Sequence, residues 1–240
     1  DVGCSDENER VCDGKCVDTS SNMNHCGGCG NTCNGLGCDD GECVDIRLSA
    51  GGRHTCAVLK SGEIRCWGNG DYGKLGDGST SYSSTPVKVQ GISSATSVSA
   101  GGGHTCARLR SGEVHCWGTG RSGQLGNGST SDSSTPVEVQ GISSATSVSA
   151  GGEGYACAVL KSGEVRCWGA GDYGKLGNGS TSDSSTPVKV KNISSASSVS
   201  AGNSQTCAVL QSGQVRCWGW GKNGSLGNGS TSHSSTPVQV

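Results

Sequence analysis

His54-Thr-Cys-Ala-Val-Leu-Lys-Ser-Gly-Glu-Ile-Arg-Cys-Trp-Gly68 is the stretch that decides the fold. It reads as two short β-prone runs around a Ser-Gly turn, with one cysteine on each run. A two-residue loop, Ser61-Gly62, would set Ala57 opposite Cys66 and leave the cysteines on opposite faces. A three-residue loop, Lys60-Ser61-Gly62, sets Cys56 opposite Cys66 and Val58 opposite Ile64, with Gly62 at the left-handed position of the bulge. Opposed residues of a non-hydrogen-bonded pair have Cα atoms about 4.5 Å apart, within disulfide range. The reading is an intra-hairpin disulfide, against the alternative of buried free thiols.

The same stretch recurs three times. Its cysteine pairs are Cys56/Cys66, Cys106/Cys116, Cys157/Cys167 and Cys207/Cys217, and residues 51–100 and 101–150 are identical at 38 of 50 positions. One extra residue lies within Gly151-Gly152-Glu153-Gly154-Tyr155 of the third copy. Each unit carries four short β-prone runs; in the second they are Val98–Ala100, Thr105–Leu109, Glu113–Trp117 and Pro136–Val139. Gly, Ser and Pro separate them, and no apolar period of 3.6 residues appears. Four short strands in about 50 residues, repeated, is the signature of a propeller blade. The expected architecture is all-β, with blades at about 45–94, 95–144, 145–195 and 196–240 after a Cys-rich head at residues 1–44.

Composition explains the need for cross-links. Only 31% of the 240 residues are hydrophobic, with 43 Gly, 16 Cys, five Trp and no Phe. So little apolar volume offsets chain entropy poorly, yet the net charge of −2 is not that of a disordered chain. Disulfides are the expected compensation, and they place the chain in an oxidising, extracellular compartment. The near-neutral charge argues against nucleic acid as a partner. No apolar run reaches the length that spans a bilayer, so membrane insertion is not expected. The opening Asp1-Val2-Gly3-Cys4 suggests a processed, mature form.

The pattern Ser-Ala-Gly-Gly-Gly-His-Thr-Cys-Ala-Arg-Leu, Ser-Gly-Glu-Val-His-Cys-Trp-Gly, Gly-Gln-Leu-Gly-Asn-Gly-Ser-Thr, Thr-Pro-Val-Glu-Val resembles the repeat of the regulator of chromosome condensation family, in a Cys-containing variant of bacterial secreted type. The resemblance covers residues 45–240 and implies one β-propeller blade per repeat. It implies little about activity, because the fold carries exchange factors, partner-binding modules and ligase-associated modules alike. Well-known members close with about seven blades. Four units could instead make a small ring, an arc completed by a second chain, or an open array that adds head to tail.

The head holds Cys4, Cys12, Cys16, Cys26, Cys29, Cys33, Cys38 and Cys43. It is similar to short Cys-rich modules of secreted bacterial and plant stigma-type proteins. Its spacings, Cys26-x2-Cys29 and Cys12-x3-Cys16 with His25 adjacent, also fit zinc. Given the extracellular reading we expect disulfides and no metal; eight cysteines leave their pairing open.

Little else points to chemistry. Gly68/Gly70/Gly73 and their three counterparts fit a dinucleotide fingerprint, but Leu-Gly-[Asp/Asn]-Gly-Ser-Thr follows where a helix would have to start. No cofactor is expected. His54 and His104 are replaced by Tyr155 and Gln205, so they read as packing or hydrogen bonding within a blade. Glu63, Glu113 and Glu164 read as solvated turn residues, and no serine or cysteine nucleophile has an identifiable base.

Trp67, Trp117, Trp168 and Trp218 recur in every unit and are expected to fill the space between blades. Trp220, unique to the fourth unit, is the candidate contact residue, with Tyr72 and Tyr173 at neighbouring loop positions. Asn127, Asn178, Asn192, Asn223 and Asn228 stand in Asn-x-Ser sequons and are candidate glycosylation sites.

The sequence therefore points to a non-enzymatic secreted module, structural or adhesive, that self-associates into a homo-oligomer or polymer. The second reading is a multivalent lectin that binds glycans through the repeated Ser/Thr/Asn loops.

Overall fold

In a computed structural model, the described residues are four short strands of the head and all of 47–240. The head strands form two antiparallel pairs, β1 (Glu9–Cys12) with β2 (Lys15–Asp18) and β3 (Gly37–Asp39) with β4 (Glu42–Val44). The expected disulfides of the head, whose pairing the sequence leaves open, and the choice between disulfides and zinc lie outside the described residues. The chain divides into two compact units, Asp1–Arg47 and Leu48–Val240.

The second unit is built from four antiparallel sheets of four strands. Blade one has β5 (Arg47–Ala50), β6 (His54–Val58), β7 (Ile64–Gly68) and β8 (Ser83–Lys88). Blade two has β9 (Ala95–Ala100), β10 (His104–Leu109), β11 (Val114–Gly118) and β12 (Ser133–Glu138). Blade three has β13 (Ala145–Ala150), β14 (Tyr155–Leu160), β15 (Val165–Gly169) and β16 (Ser184–Lys189). Blade four has β17 (Ala196–Ala201), β18 (Gln205–Leu210), β19 (Val215–Gly219) and β20 (Ser234–Gln239). Strand order follows the chain in each blade. The outer strand starts at Ser133, three residues before the expected Pro136, because the ladder resumes at Gly118↔Ser133 after a bulge. Pro136 is tolerated because that strand is an edge.

The central hairpin has the register its loop length dictates. Cys56 faces Cys66 and Val58 faces Ile64. The Gly62 N–H donates to Leu59 O at 2.9 Å and Gly62 sits at φ +85°. The other hairpins repeat this register, with Cys106 opposite Cys116, Cys157 opposite Cys167 and Cys207 opposite Cys217. All four pairs, Cys56–Cys66, Cys106–Cys116, Cys157–Cys167 and Cys207–Cys217, are disulfide-bonded with Cα–Cα distances of 4.0–4.1 Å. The alternative of free thiols in the hairpins is thereby excluded. Each bond joins residues ten apart, which stabilises the fold by about 3 kcal/mol if the unfolded chain is otherwise free.

Blades join through one repeated joint. The disulfide face of each blade turns toward its successor: Cys56, Ile64, Cys66, Leu75 and Val89 are covered by Ala107 and Trp117 of blade two. The equivalent core of blade two, around Cys106 and Cys116, is covered by Ala156, Ala158, Leu160 and Trp168. That of blade three, around Cys157 and Cys167, is covered by Ala208, Leu210 and Trp218. Trp117, Trp168 and Trp218 are fully buried, each removing enough apolar area for about 4 kcal/mol. Inner strands are tied by Ser49, Ser99 and Ser149 hydroxyls, which accept from the N–H of Ala100, Ala150 and Ala201 at 2.9–3.0 Å. They approach so closely that a Cβ on Gly102 would lie 2.0 Å from Gly152 O.

Candidate functional site

The repeated loop after the third strand is a clasp. Gly78, Gly128 and Gly179 donate their N–H to the outer strand of the next blade, at Ser134, Ser185 and Ser235 O, over 2.9–3.0 Å. Asp77, Asn127, Asn178 and Asn228 each accept from the backbone N–H two residues on, which folds the loop into a local turn. Ser83, Ser133, Ser184 and Ser234 hydroxyls donate to the carbonyl two residues on. The hydroxyl-rich loops thus spend many of their polar groups on themselves. The apparent dinucleotide glycines are packing positions: a Cβ on Gly70 would meet Ser81 O at 1.7 Å, and one on Gly73 would meet Ser134 Cα at 2.3 Å.

Buried polar groups line the joints. The Trp117, Trp168 and Trp218 indole N–H groups donate to Lys74, Gln124 and Lys175 O of the preceding blade at 2.9–3.0 Å. Thr105 and Thr206 hydroxyls share the Lys74 and Lys175 carbonyls. His54 Nε2 lies 2.7 Å from Thr105 Oγ1, so this histidine bonds across the joint, not within its blade as expected from sequence. His104 has no such partner, because Ala156 stands where Thr105 and Thr206 do. Burial, with the Lys74 charge, lowers the His54 pKa to about 4; burial, with His54 beside it, lowers His104 to about 4. Burial raises the Tyr155 phenol, whose hydroxyl donates to Gln205 O at 2.7 Å.

The disulfides belong to the joints and not to a ligand site. Cys106, Cys116, Cys157 and Cys167 are fully buried under the following blade, where no solute reaches their sulfurs.

On the exposed side, Glu63 and Glu164 each pair with a lysine of the outer strand, Lys88 and Lys189, which holds the carboxyl below its usual pKa. Asn192 and Asn223 are exposed, with left-handed φ of 56° and 60°. Among the described residues no group of three His, Cys, Asp or Glu is placed to hold a metal. No helix there is long and apolar enough to cross a membrane.

Some of the positions that differ among the repeats meet in clefts between blades. Tyr72 lies under the Arg121 guanidinium, 4.7 Å from its ring centroid, in a cleft that Asp71, Thr80, Asp132 and Ser134 complete. At the joint of blades three and four, Tyr173 and Trp220 meet edge to face with centroids 4.4 Å apart. His233 packs on both, at 4.9 and 4.7 Å, and its Nδ1 accepts the Gly221 N–H at 3.0 Å. Asp132 and Asp183 make the same bond to Gly120 and Gly171 in their own blades. The structure thus unites Tyr173 with Trp220 and leaves Tyr72 in a separate cleft. Glu153, Asn203, Gln205 and His233 were not among the sequence candidates; their signal was departure from the repeat, Glu153 lying where the third unit has its extra residue.

Comparison with known proteins agrees with this geometry. The profile of the "Regulator of chromosome condensation (RCC1) repeat" matches residues 61–108, 111–158 and 162–209, and a second profile of that description matches 46–74, 95–124, 145–175 and 196–225. The human E3 ubiquitin-protein ligase HERC2 is 33% identical over 148 residues, which is 62% of this chain and 2% of that protein. Yeast RCC1 (Prp20), solved bound to Kap60, superposes with a TM-score of 0.73 at 22% identity over 82% of this chain and 49% of that one. Human WBSCR16 superposes with a TM-score of 0.74 at 23% identity over 82% and 53%. This chain therefore spans about half the length of those solved relatives and a small part of the ligase. In profile and in blade architecture, the chain belongs to the regulator of chromosome condensation repeat family.

Proposed function

We propose that this protein is a non-enzymatic extracellular interaction and assembly module whose blade array extends by docking onto a second copy. Propellers of this repeat family typically mediate protein interactions, and yeast RCC1 itself is seen bound to Kap60. Four hairpin disulfides support an oxidising compartment.

The observation that carries the self-association is the exposure of two matching faces. Trp67 is partly exposed, whereas its counterparts in blades two to four are fully buried. On blade four, Val209 is 38% and Val240 55% exposed, where the equivalent Val159 and Val190 are at 1% and 0%. Cys207 is likewise partly open to solvent, whereas Cys56, Cys106 and Cys157 are sealed. The Trp face of blade one and the disulfide face of blade four are the two halves of a joint already made three times within the chain. A contact of one such face with the other is heterologous, so it either closes a ring or propagates.

The test is native mass by light scattering with electron microscopy of the same sample. Discrete rings or filaments support the reading, and single chains at all concentrations reject it. For the lectin reading, which in the sequence rests on the repeated Ser/Thr/Asn loops, the supporting observation is the aromatic cleft of blades three and four.

A further inference from the structure

A cavity of about 360 Å³ opens between blades three and four, lined by Glu153, Tyr173, Asn203, Ser204, Gln205 and Trp220. That volume lies in the range of small-molecule sites. Every one of these residues but Tyr173 departs from the residues at its place in the other repeats. Asn203 replaces a glycine, Gln205 replaces His or Tyr, Trp220 stands where the others have Asn69, Thr119 and Ala170, and Glu153 belongs to the segment lengthened by one residue. In a chain whose copies are otherwise so alike, five neighbouring departures at one joint mark a built site.

The walls are preorganised. Trp220 is held by the edge of Tyr173, by His233 and by Lys222, whose Nζ lies 5.2 Å from the indole centroid. Tyr173 is 41% exposed and sits at φ 60°, a left-handed conformation that costs a bulky residue about 1 kcal/mol or more. Asn223, which adopts that conformation readily, occupies the same place in blade four.

Charge selects the ligand. The Glu153 carboxylate accepts a hydrogen bond from the Ser204 hydroxyl and has the Lys175 ammonium at 3.7 Å, so its charge is largely offset. Asp172 also lies 3.5 Å from the Lys175 ammonium, and with Lys222 over Trp220 the two cations balance the two carboxylates, so a cation would find no net negative field here and an anion would meet the carboxylates. Asn203 and Gln205 carry amides that donate and accept, matching hydroxyls that do both. The exposed Tyr173 ring and the half-buried Trp220 ring offer apolar surface to the C–H face of a sugar ring. We propose that this cleft is a single binding site for a neutral saccharide of pyranose units. It uses the residues that differ among the repeats, not the Ser/Thr loops that recur, and it does not depend on self-association.

The chain supplies its own fold-preserving variants, since Trp220→Ala reproduces Ala170 and Tyr173→Asn reproduces Asn223. Cellotriose, maltotriose, mannotriose and triacetylchitotriose would each be titrated by calorimetry and saturation-transfer NMR. The expected result is saturable binding of at least one at one site per chain, weakened at least about tenfold by either variant and unchanged by Tyr72→Asn. Circular dichroism establishes that the variants fold, and native mass establishes that assembly is unaltered. The proposal is overturned by the absence of saturable binding up to about 10 mM, by several equal sites per chain, by binding that survives Trp220→Ala, or by an arginine peptide binding this cleft where all four sugars fail.

Discussion

The Trp117 indole N–H donates to the carbonyl oxygen of Lys74, a residue of the preceding blade, at 3.0 Å. Trp168 does the same to Gln124 and Trp218 to Lys175, so one hydrogen bond inside one apolar contact is made at every internal joint. The side chain at the acceptor position is Lys or Gln because only its carbonyl takes part in this bond.

Removing that contact should destabilise unequally. Trp117→Ala or Trp168→Ala leaves a cavity, and Trp168→Ala also orphans the Gln124 carbonyl, whereas Lys74 O keeps the Thr105 hydroxyl; each is expected to cost about 3–5 kcal/mol. Trp67→Ala, at a partly exposed site, is expected to cost much less in the dissociated protein. Urea denaturation followed by near-ultraviolet dichroism checks the order.

Ala156 is a weak point of the second joint. A threonine there would repeat Thr105 and Thr206, giving His104 a partner and the Gln124 carbonyl a second donor. Ala156→Thr is expected to stabilise the protein by roughly 1 kcal/mol, read as a rise in melting temperature.

Acid should weaken the joints between blades one, two and three. His54 and His104 remain neutral in the folded protein down to about pH 4, whereas in the unfolded chain they take up protons near 6.5. Their contribution is therefore complete above pH 6.5 and is lost as pH falls through 4, amounting to about 3 kcal/mol for each. Lowered Glu63 and Glu164 act in the same direction. Unfolding free energy measured from pH 7 to pH 4 should fall, and replacing both histidines by glutamine should flatten the profile.

Reduction should be ordered by access. In dissociated protein, Cys207–Cys217 is the bond with a partly open sulfur-bearing residue. It is expected to react first with a small thiol, ahead of the sealed Cys56–Cys66, Cys106–Cys116 and Cys157–Cys167. In assembled protein that preference should vanish. Alkylation and peptide mapping at intervals separate the two outcomes.

Sequence made the blade legible because its determinants are local. Loop length and alternation set the Cys56–Cys66 register, and with it Cys106–Cys116 and Cys157–Cys167, while the period of the repeat set the number of sheets. Covering of the tryptophans was legible too, but not its polarity: nothing in Trp67 itself distinguishes it from Trp117, since the difference lies in whether a preceding blade is present. Likewise the pairing of the solvated Glu63 was not legible, because its partner, Lys88, is 25 residues away on the outer strand. The cleft at Trp220 depends on three segments, near 153, 173 and 203–233, that only the blade-to-blade geometry brings together.

Gly224 permits the most direct test of self-assembly. At the internal joints a Cβ on the equivalent Gly73, Gly123 or Gly174 would strike the next blade at 2.3–2.4 Å, whereas one on Gly224 meets nothing within 4 Å. Asparagine suits its φ of 73°, so Gly224→Asn should leave each chain folded while blocking a joint made on that face. Light scattering of both proteins over a range of concentrations is the decisive measurement. Wild-type assemblies that become single chains in Gly224→Asn are the expected result; single-chain wild type, or assemblies indifferent to the substitution, would contradict the account.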